Sequence, residues 1–140
     1  MPYKFLPDVA LADVAFEASS SSLDGLFEEA AKAMTEVMVD SRSLSEKVTR
    51  VFSVESQDAD RLLYDFLSEL IVAKDVDSLL FKRFEVSIGS DRKRLKCKAH
   101  GETIDRERHR LRNDVKAVTL HLFGIRRDRA RFLATVVLDI

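Results

Sequence analysis

The strongest chemical signal in this chain comes from residues at its two ends. Asp13 lies in the apolar, strand-like segment Leu11-Ala12-Asp13-Val14-Ala15-Phe16, and Asp139 stands beside Ile140 at the close of a second such segment, Arg131–Ile140. Asp139 and the α-carboxylate next to it repel each other unless a positive group lies between them. If the two strands are neighbours, Asp13 joins them. Three carboxylates then form a hard-oxygen site suited to calcium or magnesium. The plainer alternative is an Asp that caps a loop at a strand start and another that is simply exposed near a chain end.

Other groupings are weaker. Gly101-Glu102-Thr103-Ile104-Asp105-Arg106-Glu107-Arg108-His109 places acids and a histidine between two strand-like stretches. It reads equally as a functional loop or as a salt-bridged helical turn with Glu102, Asp105 and His109 on one side. Cys97 and His100 are three apart, which on a strand puts them on opposite faces, so a nucleophilic dyad is not expected. His100, His109 and His121 match no standard ligand spacing. His121, between Leu120 and Leu122, reads as a sheet-face residue. With four glycines in all, Gly25, Gly89, Gly101 and Gly124, there is no phosphate-cradling loop.

The chain has 140 residues, 46% hydrophobic and 34% charged, which suits one globular domain spanning 1–140 with its own core. No apolar run approaches the roughly 18–20 residues of a membrane span, and the N-terminus lacks a signal-peptide core. A single cysteine excludes an intramolecular disulfide and fits a reducing cytoplasm. The net charge of −1 hides a split: residues 1–90 carry 9 Lys and Arg against 17 Asp and Glu, whereas residues 91–140 carry 14 against 7. Such asymmetry points to an acidic or nucleic-acid partner, or to acidic and basic strands that neutralise each other across a sheet.

Two segments have helical period. After Ser19–Ser22, the residues Leu23, Leu26, Phe27, Ala30, Ala31, Met34, Val37 and Met38 form one stripe, with Ser21 and Asp24 as the expected cap and an end near Val39-Asp40. The second helix follows Ser56-Gln57-Asp58, carries Leu62, Leu63, Phe66, Leu67, Leu70 and Ile71 on one side, and should stop near Ala73-Lys74. The rest reads as strands: 3–6, 13–18, 48–54, 79–88, 92–99, 115–123 and 131–140, with turns at 89–91 and 124–130. The pattern predicts an α+β fold, a largely antiparallel or mixed sheet packed by two amphipathic helices.

In order and spacing these pieces resemble the archease family. The matching stretches are Ala12-Asp13-Val14-Ala15-Phe16, the helix Leu23–Met34 running into Val37-Met38-Val39-Asp40, the helix Leu62–Ile71, Gly101-Glu102-x-Ile104-Asp105 with His109, Val115–Thr119 with His121, and the terminal Val137-Leu138-Asp139-Ile140. Two positions depart from the family pattern. Val9-Ala10-Leu11 replaces the usual Asp-His-Thr, and Phe66 stands where tryptophan is common.

The resemblance implies a single domain of archease type. It also implies a role as a non-catalytic accessory protein of an RtcB-type tRNA-splicing ligase, promoting ligase guanylylation and multiple turnover. The family's metal site carries over to Asp13, Asp139 and Ile140, with calcium, or else magnesium or manganese, as the ion. The charge split and the polar loop nominate Glu102, Asp105, Arg106, Arg108, His109, Arg110 and Lys116 as partner contacts, with weak or indirect contact to RNA. No membrane contact is expected. Two other readings use the same residues: an RNA- or protein-binding chaperone module without a functional metal, and a metal-dependent hydrolase built on Asp13 and Asp139.

Overall fold

A computed structural model of the chain describes residues 2–7 and 13–140. Val9-Ala10-Leu11, where the sequence departs from the family pattern, lies outside the described residues. The elements are β1 (Tyr3–Phe5), β2 (Asp13–Ser20), α1 (Leu23–Met38), a 3-10 turn (Ser41–Ser43), β3 (Val48–Glu55), α2 (Ala59–Asp77), β4 (Leu79–Ile88), β5 (Arg94–Thr103), β6 (Ala117–Val118), β7 (Gly124–Asp128) and β8 (Arg131–Asp139). They build an α+β domain with two antiparallel sheets. The larger has the order β1-β2-β8-β6, with β7 also on β8; the smaller has the order β3-β5-β4.

The larger sheet is organised by β8. It pairs with β2 along eight residue pairs, from Asp13 opposite Asp139 to Ser20 opposite Phe132. Its other edge is shared by β7, over residues 131–135, and β6, over 138–139. Alternation sends Phe16, Ala18, Phe132, Ala134, Val136 and Leu138 to the core, each at most 8% exposed. In the smaller sheet, Phe52, Val54, Leu95, Cys97, Ala99, Phe84 and Val86 turn inward.

Helix α1 is the wall the two sheets share. It packs on β4 of the smaller sheet and on β2 and β8 of the larger. Burial therefore extends beyond a single stripe to Ala33 and Thr35. Ser22, rather than the expected Ser21, caps it: its hydroxyl accepts from Gly25 N at 3.0 Å. Three α1 side chains also satisfy the free edge of β4. Asp24 accepts from Ile88 N at 3.1 Å, Glu28 accepts from Val86 N at 2.9 Å, and the Thr35 hydroxyl donates to Phe81 O at 2.9 Å. A sheet edge that would otherwise invite foreign strands is thereby closed.

Four elements depart from expectation by more than two residues. Helix α2 runs on to Asp77, because Ser78 supplies a left-handed end (φ 55°) whose N–H reaches Ala73 O and Lys74 O. Strand β5 extends to Thr103, so Glu102 lies on a strand and not in a loop. The expected strand 115–123 shrinks to Ala117–Val118, because the chain reverses at Leu120–Phe123 with Leu122 at φ 56°. The expected turn 124–130 is mostly strand β7, with the reversal confined to Arg129 and Ala130, Arg129 at φ 59°.

Gly101 sits where β4 bulges between Phe81 and Arg83. A Cβ there would lie 1.9 Å from Leu80 O and 2.6 Å from Phe81 Cα, both backbone atoms that cannot swing aside. Gly101→Ala is expected to cost at least about 1–3 kcal/mol, read as a lower denaturant midpoint with an unchanged m-value. A midpoint equal to wild type would show that the bulge absorbs a methyl.

Candidate functional site

Asp13 opens β2 and Asp139 closes β8, and the two are direct cross-strand partners. Directly opposed residues of an antiparallel pair project to the same face, with Cβ atoms about 4.5–5.5 Å apart. That face is opposite the one carrying Phe16, Val136 and Leu138, so both carboxylates sit outside the core, half-buried. Ile140 turns the other way and packs its side chain against the core. On the far side of Asp139, Lys116 N donates to Asp139 O at 2.8 Å, fixing the backbone of the last strand.

Glu17, two pairs along on the same face, provides the contrast. It is neutralised by Arg126 at 2.6 Å and by Lys4 at 3.7 Å. Among the described residues, neither Asp13 nor Asp139 has an ion-pair partner. Among those residues, too, no three His, Cys, Asp or Glu side chains converge. The side-chain donors are thus two carboxylates, and a third protein ligand would come from a main-chain oxygen at Ile140. This all-oxygen set fits a hard divalent cation and lacks the nitrogen or sulfur donors of zinc or copper sites.

The segment after β5 holds the second candidate group. Arg108 grips Glu102 with two parallel bonds, 2.8 and 3.0 Å. Ser45 N donates to Glu102 at 3.1 Å, and His109 Nε2 closes on the same carboxylate. Asp105 N donates to His109 Nδ1 at 2.8 Å, so Nδ1 accepts and Nε2 carries the proton given to Glu102. Glu102 is 2% and His109 5% exposed. The guanidinium of Arg108, aided by His109 and Ser45 N and opposed by burial, holds the Glu102 carboxyl down at about 2.

The next residues cap α1. Arg112 N donates to Met38 O (2.8 Å), Asn113 N to Val37 O (3.2 Å), and the Arg112 guanidinium to Glu36 O (2.8 Å). These are the carbonyls a helix C-terminus leaves unpaired. Farther on, Asp114 pairs with the buried Lys74 of α2. Arg106, Arg108 and Arg110 stay exposed, and Arg108 and Arg110 border a depression of about 520 Å³ with Asp40, Arg42 and Ser43.

Of the nominated partner contacts, Glu102 and His109 are therefore enclosed. Asp105, Arg106, Arg108 and Arg110 present surface, and Lys116 is exposed beside the carboxylate pair. The other groupings stay apart. Cys97 faces the core, and burial pushes its thiol up to about 12. His100 faces outward onto Glu85 (2.6 Å) and Thr49 (2.9 Å). His121 lies in the exposed reversal before β7.

Sequence reasoning gave Asp24 only a capping role, and missed its bond to β4, that of Glu28, and the capping segment 110–113. Each acts on a partner far away in the chain, so no local spacing announces it.

Residues 3–140 match the archease protein family. The archease of Pyrococcus abyssi is 39% identical over 132 residues, covering 92% of this chain and 93% of the relative. The archease of Methanothermobacter thermautotrophicus is 39% identical over 131 residues, with the same coverage. The solution structure of Methanobacterium thermoautotrophicum protein 1598 superposes with a TM-score of 0.85 at 34% identity, covering 99% of both chains. The crystal structure of an archease, possible chaperone, from Thermotoga maritima shares the fold, with a TM-score of 0.67 at 20% identity over 96% of both chains. The chain belongs to the archease family. Among the described residues, no helix is long and apolar enough to cross a membrane.

Because the Glu102 carboxyl is held below its ordinary value, it stabilises the fold fully above about pH 5, and that contribution is lost as pH falls toward about 2. Glu102→Gln is expected to cost about 1–3 kcal/mol at pH 7 and to flatten the stability profile between pH 5 and 2. Urea denaturation across that range tests it; parallel wild-type and variant profiles would contradict the assignment.

Proposed function

We propose that this protein is a non-catalytic activator of an RtcB-type tRNA-splicing ligase, working in the cytoplasm and promoting ligase guanylylation and multiple turnover. In this reading Asp13, Asp139 and Ile140 hold a divalent cation, calcium or else magnesium or manganese, at the end of the larger sheet. The observation that carries it is the register of β2 on β8, which opposes two carboxylates while no basic side chain among the described residues answers them. Membership of the archease family supports the choice of partner.

When bound, the ion supplies positive charge that offsets the repulsion of Asp13, Asp139 and the main-chain oxygens of Ile140. The chain itself does the positioning. The β2–β8 ladder fixes the two aspartates, the Ile140 side chain anchors the last residue in the core, and Lys116 N holds the Asp139 carbonyl. The same segment leads back along the chain through Asp114 and Arg112 to the loop of Arg106, Arg108 and Arg110, which offers exposed cations to the same partner. Glu102, Asp105 and His109 keep that loop in shape. The buried, neutral thiol of Cys97 makes it a poor nucleophile.

Single-turnover guanylylation of a purified ligase tests the reading. Wild-type protein is expected to stimulate it, and Asp139→Ala, or residues added after Ile140, to abolish stimulation while the circular dichroism spectrum is unchanged. Stimulation retained in both variants would discard the site and keep the partner. A second prediction concerns the loop: Arg106→Glu with Arg110→Glu leaves the Arg108–Glu102 pair intact and is expected to weaken stimulation, most at low salt, because rim charges set the association rate and its salt dependence. Undiminished stimulation would remove the loop from the interface.

A further inference from the structure

The outer face of the smaller sheet carries a different kind of surface. Strand β5 runs down its centre, and alternation puts Arg94, Lys96 and Lys98 on the solvent side, about 6.8 Å apart at two residues per step. All three are exposed. The flanking strands barely answer this charge. Lys96 has Ser53 of β3 on one side and Ser87 of β4 on the other, both exposed. Lys98 lies between Val51 and Glu85, and Glu85 is already engaged by His100 at 2.6 Å and Arg83 at 3.5 Å. Arg94 has only a loose partner, Asp91 at 3.9 Å, with Glu55 opposite it in register. Among the described residues, Lys96 and Lys98 form no ion pair.

The line of charge continues past the end of the strand. Arg92, at the tip of the β4–β5 hairpin with φ 60°, lays its guanidinium over the Phe132 ring at 5.6 Å. Arg127 of β7 lies over the same ring at 4.7 Å. Phe132 thus joins the hairpin tips of the two sheets and holds two guanidinium planes at the surface. Arg94, Lys96 and Lys98 on the strand face are thus followed by Arg92 and Arg127 at the Phe132 ring, and the Glu102 loop is a separate feature.

We propose that this face binds single-stranded RNA, with its backbone along Arg94, Lys96 and Lys98 and a base stacked at Arg92 or Arg127. Evenly spaced cations, of which Lys96 and Lys98 form no ion pair and Arg94 only a loose one, suit a chain of phosphates. Planar guanidinium groups are stacking platforms for unpaired bases. The serine hydroxyls flanking Lys96 offer partners to 2′-hydroxyls, which favours RNA over DNA. An acidic protein is a poorer fit, because protein interfaces are anchored by buried apolar groups and the strand face offers one exposed apolar residue, Val51. This inference does not rest on the ligase reading.

Fluorescence anisotropy of a labelled 12-nucleotide oligouridylate, titrated with the full chain at several salt concentrations and with no ligase present, tests it. Wild-type protein is expected to bind with a clear salt slope, tighter to the RNA than to the matching DNA. Lys96→Ala with Lys98→Ala is expected to lose at least about tenfold in affinity and about 1.4 from the slope, at about 0.7 per phosphate contact. Arg92→Ala with Arg127→Ala is expected to lose affinity with a smaller change for an abasic oligomer, and Arg106→Glu to change little. Thermal melts check that each variant folds. No binding by wild type, an unchanged slope in the lysine variant, equal binding of DNA, or equal binding of polyglutamate would each overturn the proposal. Guanylylation of the ligase without RNA should be unaffected by the lysine variant, so failure here and failure of the ligase reading are separable.

Discussion

The pairing of β2 with β8 is the constraint on which the rest of the structure depends. It joins the first long strand of the chain to the last, and β8 in turn carries β6 and β7 on its other edge. Its register cannot slip by one residue without turning Phe16, Phe132, Val136 and Leu138 out to solvent. Burying such side chains is worth about 1.5–3 kcal/mol each. Opposed like charges cost only about 0.2–1 kcal/mol. Apolar burial therefore wins, and it holds Asp13 against Asp139 despite their repulsion. A carboxylate pair maintained this way has a standing electrostatic reason to accept a cation.

Helix α1 couples that pairing to everything else. Its buried faces touch both sheets, its acidic side chains close the edge of β4, and its C-terminal carbonyls are closed by residues 112 and 113. The arginine-bearing loop is consequently a tertiary cap, pinned at Glu102 on one side and at Lys74 on the other. Surface residues such as Arg106 and Arg110 can present charge to a partner because buried neighbours carry the structural work.

Much of this was legible in the sequence, for physical reasons. The helices follow from 3.6-residue periodicity, and β4 was bounded correctly because a β-branched and aromatic run ended in a Gly-Ser-Asp turn. Asp13 and Asp139 stood out because carboxylates are unusual in apolar strands, although only the fold makes them neighbours. Leu120, His121 and Leu122 imitate strand alternation, yet Leu120 and Leu122 are 66% and 58% exposed in a reversal. The run Arg126-Arg127-Asp128-Arg129 looked like a turn, but Arg126 has Glu17 and Thr135 as partners on the sheet face. The Glu102–His109 contact was visible only as an ambiguous spacing. Its resolution needed β5 to reach Thr103 and the chain to fold back through Asp105.

The proposed function requires the Asp13–Asp139 pair with Ile140 to bind a cation. Isothermal titration of calcium onto the metal-free full chain, beside Asp13→Asn, tests it most directly. The wild type is expected to bind one ion per chain and the variant to bind at least tenfold more weakly, with both proteins folded. Equal affinity in the two proteins, or no binding by the wild type, would contradict it.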